Sequence, residues 1–155
     1  MLGDVVREWL TEEDILKKEV TDDDSEWHYV VQFPSESNQV SDVIKPQGKD
    51  FILVLSGLAL SEKHLRAFNS LPSSKKRNLM HQWKMDLLFR DAEFKMHSDK
   101  DNLQRVDFSL PIYSENLKKS VLIEGLREVF RCKMYIIWNL QHEFDGYSDV
   151  DAMFH

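Results

Sequence analysis

Alternation of apolar and polar positions dominates two stretches of the chain. Trp27, Tyr29, Val31 and Phe33 alternate with His28, Val30 and Gln32, the period of a strand with one buried face, and Pro34 ends the run. Val106, Phe108 and Leu110 alternate in the same way with Arg105, Asp107 and Ser109. Just before them, Phe94 and Met96 share one face of a further strand, and the residues between, Ser98 to Asn102, have the composition of a hairpin loop. Val40 to Lys45 and Phe51 to Leu55 also read as strands, separated by the turn Pro46-Gln47-Gly48. Ser56-Gly57 reads as a strand end and Pro111 as the close of the sheet. Leu16 to Val20 fits a short edge strand, and Thr21 to Ser25, with three consecutive aspartates, a solvated turn.

Elsewhere the apolar spacing is helical. Val5, Val6, Trp9 and Leu10 follow Asp4 and predict a helix over about residues 3 to 14. Ser61 is placed to cap a short helix carrying Leu65 and Phe68. Pro72 then leads to Ser73 or Ser74 capping a longer helix, which would bury Leu79, Met80, Trp83, Leu87 and Leu88. A last helix, capped by Ser114, carries Leu122, Leu126, Val129, Phe130, Met134 and Ile137 toward His142. Its Tyr135-Ile136-Ile137-Trp138 portion is rich in residues that also favour strands.

The order helix, strands, two helices, hairpin, helix keeps sheet and helices segregated, so the expected fold class is α+β: an antiparallel sheet with an N-terminal helix, middle helices and a long C-terminal helix. Residues 1–143 are expected to form a single domain. The remainder, 144–155, is acidic and aperiodic, and is expected to be a mobile tail dispensable for folding.

Composition narrows the class. The chain has 155 residues, of which 42% are hydrophobic and 11% aromatic, enough for a core without covalent staples. One cysteine, Cys132, excludes an internal disulfide. The N-terminus lacks the basic start and apolar run of a signal peptide, and the longest apolar runs are far too short to span a bilayer. A cytoplasmic location is expected, without membrane contact. The formal net charge of −7 repels phosphate backbones and argues against nucleic acid as a partner. The basic run Lys75-Lys76-Arg77 is the weak exception and reads more simply as a helix start.

Candidate chemistry is sparse. The histidines at 28, 64, 81, 97, 142 and 155 show no HxxxH or HExxH spacing that would set two ligands on one helical face, so no metal or other cofactor is expected. Cys132 lies between Arg131 and Lys133, but nothing in the sequence supplies a base for it. Ser56-Gly57 lacks the glycine two positions before the serine that a nucleophile elbow requires. The five glycines form no phosphate-binding loop, and carboxylate pairs such as Glu12-Glu13 fall on surface segments. No catalytic residue is assigned.

One surface feature is predicted. If Phe51, Leu53 and Leu55 face the helices, Ile52 and Val54 point to the opposite side of the sheet. Val30 would join them there, as would Val43 in one of its two registers. Val30, Val43, Ile52 and Val54, rimmed by His28, Gln32, Arg105 and Asp107, would then form an apolar partner-binding stripe, unless a loop or the C-terminal tail covers it.

The segments "REWL", "WHYVVQFP", "DVIKPQGKD", "LSEKHL" and "EGLREVFRCKMYIIW" resemble an uncharacterised, mainly archaeal family of domains of unknown function over residues 1 to about 143. That family is similar in fold to the type III secretion chaperones, small modules that commonly dimerise. The resemblance implies binding rather than chemistry, with no catalytic set to carry over. The expected function is therefore a non-enzymatic protein-binding or adaptor module, homodimeric, recognising a protein partner or itself. The alternative is an enzyme or small-molecule binder whose site is assembled from residues distant in sequence, its mark being a closed pocket around a strongly perturbed titratable group.

Overall fold

The structure is a computed structural model that describes residues 1–145. The elements are α1 (Leu2–Glu12), β1 (Leu16–Val20), β2 (Ser25–Gln32), β3 (Val40–Pro46), β4 (Phe51–Ala59), α2 (Glu62–Asn69), α3 (Ser73–Leu87), β5 (Glu93–Asp99), β6 (Asn102–Tyr113), a 3₁₀ turn at Ser114–Asn116 and α4 (Lys119–Phe144). The strands form one six-stranded sheet in the order β1-β2-β3-β4-β6-β5, with β1 at an edge as its pattern predicts. The α+β class is as expected. The chain packs as two compact units. The first comprises Met1–Ser56, Asp91–Glu93 and Phe108–Phe130; the second comprises Gly57–Arg90, Phe94–Asp107 and Arg131 onward. β4, β6 and α4 each run through both.

In the first unit β1 to β4 form an antiparallel meander. Val43 stands opposite Tyr29 on one side and Val54 on the other, so these three share a face. Both helices of this unit seat on that face, each through a glycine. A Cβ on Gly3 of α1 would lie 2.8 Å from Trp27 Cδ1, and the Tyr29 hydroxyl donates to the Gly3 carbonyl at 2.8 Å. A Cβ on Gly125 of α4 would lie 3.1 Å from Leu110 Cδ2, 3.2 Å from Ile112 Cδ1 and 3.7 Å from Val54 Cγ2. The helix backbone thus approaches the sheet closely at each glycine. Val6, Leu10, Leu122, Leu126 and Val129 complete the core, with Phe33 edge-on to Phe130 at 6.1 Å. At the surface, Lys119 Nζ reaches Glu12 Oε2 at 2.7 Å and Glu13 Oε1 at 3.2 Å, tying the start of α4 to the end of α1.

In the second unit, Ser61 caps α2 as expected, its hydroxyl accepting from the His64 amide at 3.2 Å. Phe68 of α2 packs against Trp83 of α3 and edge-on to Phe144 of α4. α3 buries Lys76, Leu79, Met80, Trp83 and Leu87, a single stripe at spacings of three and four. Leu88, expected in this core, is instead 57% exposed; it lies a further 100° round the helix, away from the stripe.

Several boundaries differ from the sequence expectation. β4 continues past Ser56-Gly57 to Ala59, and β6 runs through Pro111 to Tyr113, so neither a glycine nor a proline ended its strand. Pro72, not a serine, occupies the N-cap of α3. Ser114 lies in the 3₁₀ turn rather than capping α4, and its hydroxyl donates to the Asp50 carbonyl at 2.8 Å. Tyr135 to Trp138 are helical, and the buried stripe of α4 continues through Cys132, Lys133, Ile136 and Leu140 rather than Phe130, Met134 and Ile137. The packing extends to Asp145; the rest of the acidic tail lies outside the described residues.

Two outcomes test this packing. Trp83 is fully buried, so Trp83→Ala should destabilise the protein by about 3–5 kcal/mol, while Leu88→Ala should change stability by less than about 0.5 kcal/mol. Gly125→Leu should cost about 1–3 kcal/mol through overpacking against Leu110, Ile112 and Val54. Urea unfolding followed by circular dichroism measures all three.

Candidate functional site

The parity of β4 is opposite to expectation, and that relocates the apolar stripe. Val43, Ile52 and Val54 are each 0% exposed and lie beneath the helices of the first unit. The run Phe51 to Leu55 is apolar at every position, so its period carries no information about which side faces in. The expectation turned Phe51, Leu53 and Leu55 toward the helices. The structure places Ile52 and Val54 inward, with Val54 beneath Gly125 of α4. Of the four residues expected in the stripe, only Val30 lies on the outer face, and it too is buried.

Cross-strand register defines that outer face as two rungs. Val20, His28, Ile44 and Leu53 stand directly opposite one another in succession across β1 to β4, and Lys18, Val30, Asp42 and Leu55 form the next rung. Phe51 extends the β4 row and lies against Tyr113 of β6, the ring centroids 5.4 Å apart and the planes tilted by 60°. Ile44, Phe51, Leu53 and Leu55 are all half-buried, and Tyr113 is 46% exposed. The face therefore presents large apolar side chains on one half and a polar cluster on the other.

His28 is the centre of that cluster. Its Nε2 lies 2.7 Å from Asp42 Oδ1 and its Nδ1 lies 2.9 Å from Asp22 Oδ2, with the ring mostly shielded from solvent. Burial by itself would lower the imidazole pKa, but the hydrogen bonds and charges of Asp42 and Asp22 outweigh it and raise the pKa above 6.5. The same bond from His28, helped by Ser25, holds the Asp22 carboxyl below its ordinary value. Asp22 also accepts from the Asp24 amide at 2.9 Å, so the aspartate turn is ordered around this carboxylate.

The second unit carries two further histidine–aspartate contacts. His97 Nε2 lies 2.6 Å from Asp107 Oδ2, while Arg105 Nε donates to Asp107 Oδ1 at 3.0 Å. Burial would raise the Asp107 pKa, but Arg105 and His97 more than offset it and hold the carboxyl low. A Cβ on Gly57 would come within 2.9 Å of Asp107 Oδ1, so the glycine leaves room for this group. His64 Nε2 lies 2.8 Å from Asp145 Oδ2, with Lys63 Nζ 2.9 Å from Asp145 Oδ1. Lys76, from the basic run, is buried, its Nζ donating to Asn102 Oδ1 at 2.6 Å. It cannot meet a phosphate backbone from there. Cys132 is buried as well.

Sequence reasoning passed over the histidine–aspartate contacts because their members lie 6, 14, 10 and 81 residues apart, spacings with no motif. The one available signal was local: His28 and Asp107 occupy polar positions of alternating strands, where a side chain meets its cross-strand diagonal neighbours. Among the described residues no group of three or more His, Cys, Asp or Glu is gathered as a metal site, and no helix is long and apolar enough to cross a membrane.

The chain belongs to the family described as "Uncharacterized conserved protein (DUF2299)", whose model matches residues 2–140. A crystal structure of an uncharacterized protein from Methanothermobacter thermautotrophicus is similar with a TM-score of 0.88 and 28% identity, over 93% of this chain and 99% of that one. A chain in the crystal structure of the ExsC–ExsE complex aligns with a TM-score of 0.48 and 13% identity, over 86% of this chain and 92% of that one. No curated protein matches the chain.

The His28 cluster has a measurable signature. A histidine whose folded pKa is raised contributes stability that is full below the unfolded value of about 6.5 and is lost as pH rises through the folded value. Asp22, depressed in the folded state, contributes above about pH 4 and loses that contribution as pH falls. Their joint contribution is therefore greatest between about pH 4 and pH 6.5. His28→Gln should destabilise the protein more at about pH 6 than at about pH 8, as read by urea midpoints at the two pH values.

Proposed function

We propose that this protein is a non-enzymatic protein-binding module that self-associates through the outer face of its β1–β4 meander. The observation that carries the reading is the partly exposed apolar group Ile44, Phe51, Leu53, Leu55 and Tyr113 on the sheet face opposite α1 and α4. A soluble sheet of this kind ordinarily keeps one face polar, and side chains this large on the wet face mark a surface that is covered part of the time. Removing apolar area from water is worth about 25 cal/mol per Å². A few hundred Å² would thus supply several kcal/mol against the entropy lost on association.

A second copy is the favoured occupant because the face is apolar on one half and charged on the other. A two-fold axis through the meander lets each apolar half meet its equivalent and sets Asp42, the cross-strand neighbour of Leu55, at the border of the covered area. An adaptor role, in which the same face or the groove between two copies receives another protein, extends this reading.

The test is a paired substitution. Leu53→Lys with Leu55→Glu should abolish self-association in sedimentation velocity while leaving the circular dichroism spectrum unchanged. Ile52→Lys with Val54→Glu, one position over in each case, should instead unfold the protein, because both side chains lie in the core. A folded Leu53/Leu55 variant that associates like the wild type overturns the proposed interface.

A further inference from the structure

His28 does more on this face than stabilise a turn. It is the only titratable group on the rung Val20–His28–Ile44–Leu53, and it stands beside the apolar residues proposed above as the docking surface. The groups around it can be named element by element. β1 offers Val20 directly opposite and Lys18 on the diagonal; the turn after β1 offers the Asp22 carboxylate; β3 offers Ile44 opposite and Asp42 on the diagonal. β4 adds only Leu53 and Leu55 beyond Ile44 and Asp42. On its own strand Glu26 is taken up by an ion pair with Lys45 at 2.9 Å.

Each ring nitrogen of His28 faces a carboxylate oxygen. A protonated imidazole donates from both nitrogens and satisfies both contacts. A neutral imidazole has a single N–H, so whichever carboxylate it does not serve faces a bare lone pair. Deprotonation therefore sets Asp22 or Asp42 free, and it takes the cluster of one histidine and two aspartates from a net charge of about −1 to about −2. Asp42 is the cross-strand neighbour of Leu55. An unpaired carboxylate there would have to be desolvated, or brought near its equivalent, whenever the apolar face is covered.

We infer that the His28 bridge between Asp22 and Asp42 is a pH-sensitive gate on the docking face: protonated, it permits a second copy to cover Leu53 and Leu55, and neutral, it opposes this. The inference rests on the self-association proposed above. The direction follows from linkage, since association favours the cationic histidine, takes up protons and weakens as pH rises. The raised pKa of His28 puts the change above the ordinary histidine value of about 6.5 rather than below it.

Sedimentation velocity on the full chain from about pH 6 to about pH 8.5 tests this, on the wild type and on His28→Gln. The wild-type dissociation constant should rise about tenfold or more across the range, since each pKa unit coupled to association is a factor of ten. That of His28→Gln should stay constant within about twofold. If His28→Gln does not fold, Asp22→Asn serves instead: losing one of the two carboxylates should move the wild-type transition to lower pH. A wild type that associates, is made monomeric by the Leu53/Leu55 double change and yet keeps the same pH response in His28→Gln (or an unmoved transition in Asp22→Asn) overturns the gate alone. A wild type that stays monomeric across the range overturns both the gate and the self-association on which it rests.

Discussion

The close seating of two helices on one face of the β1–β4 meander is the constraint from which the rest of the first unit follows. α1 meets the sheet through Gly3, over Trp27, and α4 meets it through Gly125, over Val54, Leu110 and Ile112. At such distances each glycine leaves room for the side chains beneath it, because a close-packed interior has no spare volume. Val43, Ile52 and Val54 lie inside, and Phe51, Leu53 and Leu55 therefore point to the other side. A strand that is apolar on both faces cannot hide both against one helical layer. The apolar outer face is thus a consequence of how the helices sit, and it exists whether or not a second copy covers it.

The same alternation decides where the polar residues go. His28 and Asp42 occupy outward positions on neighbouring strands, and the aspartate turn after β1 folds back so that Asp22 reaches the other side of the ring. In the second unit, His97 with Asp107 and His64 with Asp145 repeat the motif of a partly shielded imidazole against a carboxylate. Among the described residues only the His28 ring is held between two carboxylates beside apolar neighbours, which is why the proposed coupling of a protonation state to the covering of a surface rests on it alone.

The helices of the second unit follow a simpler rule. Phe68, Trp83 and Phe144 make an aromatic contact in which each side chain comes from a different helix, and the stripe of α3 carries Lys76 inward along with its apolar members. The buried stem of that lysine packs with the stripe while its amine finds Asn102. The basic run that suggested a surface for phosphate is in part structural.

Sequence alone determined the element types and their order, because periods of two and of three to four residues are imposed by backbone geometry and survive without tertiary context. The α+β class, the edge position of β1, the Ser61 cap and the burial of Trp83 and Phe108 were all legible in that way. Even the prospect of an apolar outer face was legible, since an unbroken run from Phe51 to Leu55 must expose one parity or the other. Which parity was not legible, because period two is silent when both sets are apolar; the helix approach at Gly125 decided it. The histidine–aspartate contacts were equally out of reach, since they depend on strand register and turn geometry that bring together residues between 6 and 81 positions apart. Local periodicity specifies what each segment is; only the packing of helices against the sheet specifies which side of it meets water.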